Sequence, residues 1–198
     1  MENLLNTLTK EEMNKVKIVS LSKEQILFHE SEICECIGVV IEGDIEITSY
    51  SYGGKEIIYN HLHSAMVFGN NLIFSSDPVY KGSIIAKKPS KVALIYKNQL
   101  ISILKRNEEF LLKYLQYQSD MSKDLNTKIK LLSLDGAEER FFYYLSSHKG
   151  EINYSSISKL AGTLSLQRET LSRLISKLIK ENKIVKEKHL IRIVEKKK

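Results

Sequence analysis

Arg168, Glu169 and Arg173 fall within six residues of one another in the stretch SLQRETLSRL, residues 165–174. An arginine can grip O6 and N7 of guanine with two donors, and a glutamate can accept from the amino group of cytosine. Leu171, Leu174, Ile175 and Leu178 recur at helical spacing through the end of this stretch and just beyond it. If they face a core, then Arg168, Glu169, Ser172, Arg173 and Ser176 face away from it. The bland alternative is the solvated outer face of an ordinary amphipathic helix, and the face by itself does not decide between the two.

Other residue types that could do chemistry give weaker patterns. Cys34 and Cys36 share a strand face, but two thiols do not supply the four ligands of an iron–sulfur cluster. His61 and His63 also share a face, a spacing open to a metal or haem and more simply read as ordinary strand residues. No Ser/His/Asp arrangement, phosphate loop or carboxylate pair in context argues for catalysis, so neither an enzyme nor a bound cofactor or metal is expected.

The neighbours of the charged face strengthen its functional reading. Upstream, SSISKLAGTL opens on a serine cap and carries Ile157, Leu160, Ala161 and Leu164 at i, i+3, i+4 and i+7. Two short helices joined by a tight turn make a helix-turn-helix. Downstream, KIVKEKHLIRIV alternates like a short hairpin, and AEERFFYYLSSH forms an amphipathic, aromatic-rich helix before the pair. Residues 136–198 hold 14 Lys+Arg against 7 Asp+Glu, a charge of +7 that leaves −1 for residues 1–135 of a chain whose total is +6. A basic end on a neutral body points to a polyanion there.

The rest of the 198 residues divides by its glycines. Six of the nine lie between Gly38 and Gly82, and none between Ser83 and Asp135. GVVIEGDIEITSY alternates about a Gly43-Asp44 turn, with Ile45 and Ile47 on one face. SYGGKEIIYNHL carries the hairpin signal Gly53-Gly54, and SKVALIYK is a further strand. Many short strands at this spacing predict a small barrel or sandwich. Asn107 to Leu134 is free of helix breakers, with Asn107 as N-cap and Glu108 and Glu109 at the positive end of the dipole. Leu111, Tyr114, Leu115, Met121, Leu125, Ile129 and Leu132 form a stripe too long for a small barrel to cover. Pairing with a second copy is the economical solution.

LAGTLSLQRETLSRLISKLIKENKI resembles the winged helix-turn-helix of the Crp/Fnr transcription regulators, and RETLSR is its most specific part. ILFHESEICECIGVVIEGDIEI, GGKEIIYNHL and FGNNLIF resemble the β-roll of cyclic-nucleotide-binding-like sensor domains. The resemblance runs from about Leu21 to Val194 and implies an α+β chain in three parts. These are a jelly-roll-like, double-stranded β-roll with a short N-terminal helix (1–106), a dimerisation helix (107–134) and a winged helix-turn-helix (135–198). It implies a cytoplasmic homodimer that binds double-stranded DNA at an inverted repeat, with RNA polymerase as a further partner and no membrane. Arg168, Glu169 and Arg173 become the base readers, joined by Gln167, Ser172 and Lys177, and Lys186 and Lys188 of the hairpin and the tail Lys196–Lys198 become phosphate contacts.

The resemblance also places an effector pocket at Gly69, Asn70, Asn71, Leu72, Tyr80, Lys81, Gly82 and Ser83. Cyclic-AMP-binding members carry a glutamate after that glycine, where Asn70 stands, and an arginine and serine where Tyr80 and Lys81 stand. Serine or alanine also replaces glycine at turns around Ser31, Ala65 and Ser165. The expectation is a roll with an unidentified small-molecule effector, or none, rather than cyclic AMP. A ligand-binding adaptor using its C-terminal module for protein contacts is the alternative, and the +7 end and the RETLSR face weigh against it. Two cysteines in close sequence and the absence of an apolar leader or spanning run fit a reduced, cytoplasmic setting.

Overall fold

The computed structural model describes residues 3–194, which form two compact units divided between Ser119 and Asp120. In the first, a short 3-10 turn (Leu4–Thr7) leads to α1 (Lys10–Met13). Thr9 starts α1 with a capping box: its hydroxyl accepts from the Glu12 amide and the Glu12 carboxylate accepts from the Thr9 amide. Eight strands follow: β1 (Lys17–Leu21), β2 (Ile26–Phe28), β3 (Cys36–Glu42), β4 (Ile45–Tyr50), β5 (Glu56–Leu62), β6 (Val67–Phe68), β7 (Ser83–Ala86) and β8 (Ser90–Tyr96).

They pair antiparallel in two four-stranded sheets, ordered β1-β8-β3-β6 and β2-β7-β4-β5. The Gly43-Asp44 turn therefore carries the chain from one sheet to the other and does not close a hairpin. Ile37, Val39, Ile45, Ile84 and Ile95 are fully buried, each contributing roughly 1.5–3 kcal/mol. Gly38 pairs with Phe68, and a Cβ on it would fall 1.9 Å from that ring.

The β4–β5 hairpin forms as expected, with a three-residue loop. Ser51 and Lys55 bracket it, the Gly54 amide donates to the Ser51 carbonyl at 2.8 Å, and Gly54 alone of the glycine pair is left-handed, at φ +75°.

After β8 come α2 (Lys97–Arg106) and the 26-residue α3 (Glu108–Ser133), about 39 Å long. Asn107 caps α3: its side-chain oxygen accepts from the Phe110 amide at 2.9 Å, and its amide group donates to Glu12 and to the Thr7 carbonyl. Phe110, Tyr114 and Tyr117 are buried, whereas Leu112, Leu115, Leu125, Ile129 and Leu132 are more than half exposed. Tyr114, expected on the outer stripe, thus belongs to the inner one.

The second unit continues with α4 (Ala137–Ser147), β9 (Glu151–Asn153), α5 (Ile157–Thr163), α6 (Arg168–Lys180), β10 (Ile184–Lys186) and β11 (Leu190–Ile193). β9 is an addition to the sequence expectation: it pairs with β11 and turns the hairpin into a three-stranded sheet. Leu131, Phe141, Leu160, Leu171, Ile175 and Leu178 share the core of this unit.

Candidate nucleic-acid interface and sensor roll

α6 is held down by the four residues its period singled out: Leu171, Leu174, Ile175 and Leu178 are all buried. Ser156 caps α5 by accepting from the Lys159 amide. The turn between the helices closes as a Schellman motif, with the Leu166 amide donating to Ala161 and the Ser165 amide to Gly162. Ser165 occupies the left-handed position of that motif at φ +53°, where glycine is the easy residue. α4 and α6 end in the same way, with Lys149 at φ +59° and Asn182 at φ +52°.

Gln167, Arg168, Glu169, Ser172, Arg173 and Ser176 are exposed on the opposite side of α6. No hydrogen bond or ion pair engages Arg168, Glu169 or Arg173 among the described residues. Ser172, Arg173, Ser176, Lys177, Lys180 and Glu181 line a shallow groove along the second half of the helix.

Lys177 differs from its neighbours. Its Nζ lies 2.8 Å from the Glu138 carboxylate, which also pairs with Lys183 at 3.0 Å. Lys177 is therefore occupied in fixing α6 to α4, and the hydrogen bonds from Lys177 and then Lys183 hold the Glu138 carboxyl below the usual range. Lys186 and Lys188 are exposed on β10 and in the turn after it, and the tail Lys196–Lys198 lies outside the described residues.

The candidate effector residues separate. Gly69 opens a turn in which the Leu72 and Ile73 amides donate to its carbonyl, and it lies close over Cys36 and Cys34. Asn70 is buried and its amide group donates to the Gln118 side chain on α3; Gln118 and Tyr114 donate in turn to the Asn70 carbonyl at 2.9 and 3.2 Å. Asn71 is exposed and Leu72 half-buried. Tyr80 is buried, stacked on Phe28 at 5.1 Å with its hydroxyl beside the Cys34 and Cys36 thiols, and burial raises its pKa. Lys81 is exposed and paired with Asp77 at 2.8 Å. Gly82 lies against the Thr48 carbonyl, and Ser83 accepts from the Glu30 amide.

Both cysteines are buried and free, and burial pushes the Cys36 thiol up to about 12, so they are thiols and not thiolates at neutral pH. His61 Nδ1 lies 3.1 Å from the Glu46 carboxylate, and His63 Nδ1 lies 3.3 Å from that of Asp44. Among the described residues no group of three or more His, Cys, Asp or Glu is set to hold a metal. No helix there is long and apolar enough to cross a membrane.

A roll of two antiparallel sheets, a long helix and a helix-turn-helix with a three-stranded sheet make a fold shared with several solved structures. Residues 18–107, which contain the roll, match the model of the cyclic nucleotide-binding domain family. The Anaerobic regulatory protein of Bacillus subtilis (strain 168) is 24% identical over 148 residues, 75% of this chain and 57% of that protein, so the match spans little more than half of the relative. Among solved structures, CprK in its OCPA complex superposes with a TM-score of 0.70 at 16% identity, covering 93% of this chain and 88% of that one. The Catabolite Activator Protein of Thermus thermophilus gives 0.57 at 16% identity, covering 96% and 93%. CooA from Carboxydothermus hydrogenoformans, solved as a mutant, gives 0.66 at 17%, covering 96% and 91%.

Proposed function

We propose that the chain is a homodimeric, sequence-specific DNA-binding transcription regulator of the Crp/Fnr type. The observation that carries this reading is the free polar face of α6. Arg168, Glu169 and Arg173 stand clear of every described partner on a helix pinned by four buried residues. Two guanidinium forks and a carboxylate on one rigid helix suit the donor and acceptor pattern of major-groove edges. Lys186 and Lys188 serve as phosphate contacts, with no sequence information of their own.

The second copy is supported by α3. Leu111, Leu115, Gln118, Ser122, Leu125, Ile129 and Leu132 step along the helix by alternating fours and threes, the spacing of a coiled-coil seam, and four of its five leucine and isoleucine residues are more than half exposed in the single chain. A two-fold dimer of helix-turn-helix units reads an inverted repeat with half-sites one helical turn, about 34–36 Å, apart. RNA polymerase is a further partner by analogy with the regulators the fold resembles. The three parts 1–106, 107–134 and 135–198 then act as sensor, dimer helix and DNA-binding domain, in the cytoplasm.

The roll in this reading senses something other than cyclic AMP, or nothing. The residue that follows Gly69 is committed to α3, and Lys81 to Asp77. Selection of bound duplexes from a random pool, at stated salt, tests the DNA assignment.

A further inference from the structure

One guanidinium in the C-terminal unit holds two backbone carbonyls from different segments. Arg140, on α4, donates from Nε to the Leu134 carbonyl at 2.9 Å and from Nη1 to the Ser165 carbonyl at 3.1 Å. Leu134 is the residue after α3 ends. Ser165 is the left-handed residue of the turn that sets α6 against α5. The Schellman bonds fix the amides of Ser165 and Leu166. They leave the Ser165 carbonyl to be gripped from outside, and Arg140 supplies the donor.

The arrangement has a physical reason. A residue with a Cβ resists the left-handed region, so a serine there needs its surroundings to hold it. A rigid fork with diverging N–H groups can bind two carbonyls at once, which a lysine ammonium on a flexible stem does poorly. The charge on the guanidinium also strengthens both bonds relative to a neutral donor.

We propose that Arg140 is a positioning residue for the recognition helix. It braces Ser165 in its left-handed conformation and ties the helix-turn-helix turn to the segment leaving α3. Its consequence for DNA rests on the function proposed above; its consequence for the turn does not. Arg140 touches no base in this account and acts only through the backbone at Ser165.

The test is a cycle of Arg140→Lys, Ser165→Gly and the double variant in the full chain, each checked for its melting temperature. Two quantities are read. One is amide hydrogen exchange across residues 165–171; the other is affinity for the duplex the parent selects and for an unrelated duplex. Arg140→Lys keeps the charge, so affinity for the unrelated duplex stays at the parent level. Exchange across the turn rises by about tenfold and specific affinity falls by about the same factor. Ser165→Gly removes the conformational resistance, so the same Arg140→Lys change has a clearly smaller effect in that background.

The proposal is overturned if exchange across 165–171 is unchanged in Arg140→Lys, or if the effect is equal in the two backgrounds. Global unfolding by Arg140→Lys that Ser165→Gly does not relieve also overturns it, since that is general stabilisation and not a brace at the turn. A parent chain that selects no duplex sinks the DNA assignment, while the exchange cycle still judges the brace.

Discussion

Asn70 and Gln118 are joined by reciprocal hydrogen bonds: the Asn70 side-chain amide donates to the Gln118 side-chain oxygen, and Gln118 Nε2 donates to the Asn70 carbonyl at 2.9 Å. The residue after Gly69, where a nucleotide-binding roll offers a glutamate to the ribose, is here turned to the long helix. Tyr114 adds a third bond at 3.2 Å to the same carbonyl. Cyclic AMP would meet no free carboxylate there, and the nearest lysine in sequence, Lys81, is exposed and paired with Asp77. Titration calorimetry is expected to show no micromolar binding of cyclic AMP or cyclic GMP. Micromolar binding that disappears in Lys81→Ala would restore a nucleotide sensor.

The dimer account places Leu125 in a seam with Ile129 and Leu132, each more than half exposed in the single chain. Leu125→Glu puts a charge into that seam on each copy and is expected to dissociate the pair. The monomer should keep its fold, because Leu125 is absent from the buried core. Light scattering at micromolar concentration checks it: a monomeric parent, or a Leu125→Glu variant as dimeric as the parent, removes the seam.

Base readers and phosphate contacts should respond differently to substitution. Arg168→Ala and Arg173→Ala are each expected to weaken binding to the selected duplex by roughly 1–3 kcal/mol, with sequence preference relaxed at one base pair. Lys186→Ala or Lys188→Ala should weaken all duplexes alike and flatten the salt slope by about one. Gel-shift titrations on matched and unrelated duplexes at several salt concentrations separate the two. Arginine variants that bind the selected duplex as tightly as the parent would remove the base-reading role.

The Glu138 cluster links α4 to α6 and has a pH signature. Its carboxyl is held low by the hydrogen bond from Lys177 first and that from Lys183 next. A carboxyl lowered in the folded state contributes stability that is complete above its unfolded value and is lost as pH falls through the lowered one. Glu138→Gln should therefore lower stability at neutral pH slightly and flatten the acid limb of the melting-temperature profile. The ion pairs are partly exposed, so both effects shrink with added salt. The same substitution leaves Lys177 with only its longer pair to Glu181 at 3.8 Å, and affinity for unrelated duplexes should rise. Identical acid limbs in parent and variant would mean the cluster contributes nothing.

Much of this was legible in the sequence because it depends on local periodicity. Leu171, Leu174, Ile175 and Leu178 form a single face at helical spacing, and a helix that buries them has no choice about where Arg168 and Arg173 go. The Asn107 cap and the Gly54 turn are equally local. What escaped was tertiary. β9 is three residues long with one buried side chain, Ile152, too short to show a period. The apolar runs of β3 and β4 mark strands and not their partners, and β3 is buried through five consecutive residues, so they do not reveal that the two strands join different sheets. Lys149 and Asn182 take left-handed positions with no glycine to signal them. Asn70 finds Gln118 across 48 residues of chain, and nothing near either residue announces the other.

The central claim is that two copies of α6 read an inverted repeat in duplex DNA. Selection from a random duplex pool at stated salt, followed by sequencing of the bound fraction, tests it most directly. The account predicts a two-fold symmetric consensus with half-site centres about one helical turn apart, and its loss in Arg168→Ala and Arg173→Ala. A bound fraction as random as the starting pool, or a consensus without two-fold symmetry, would contradict it.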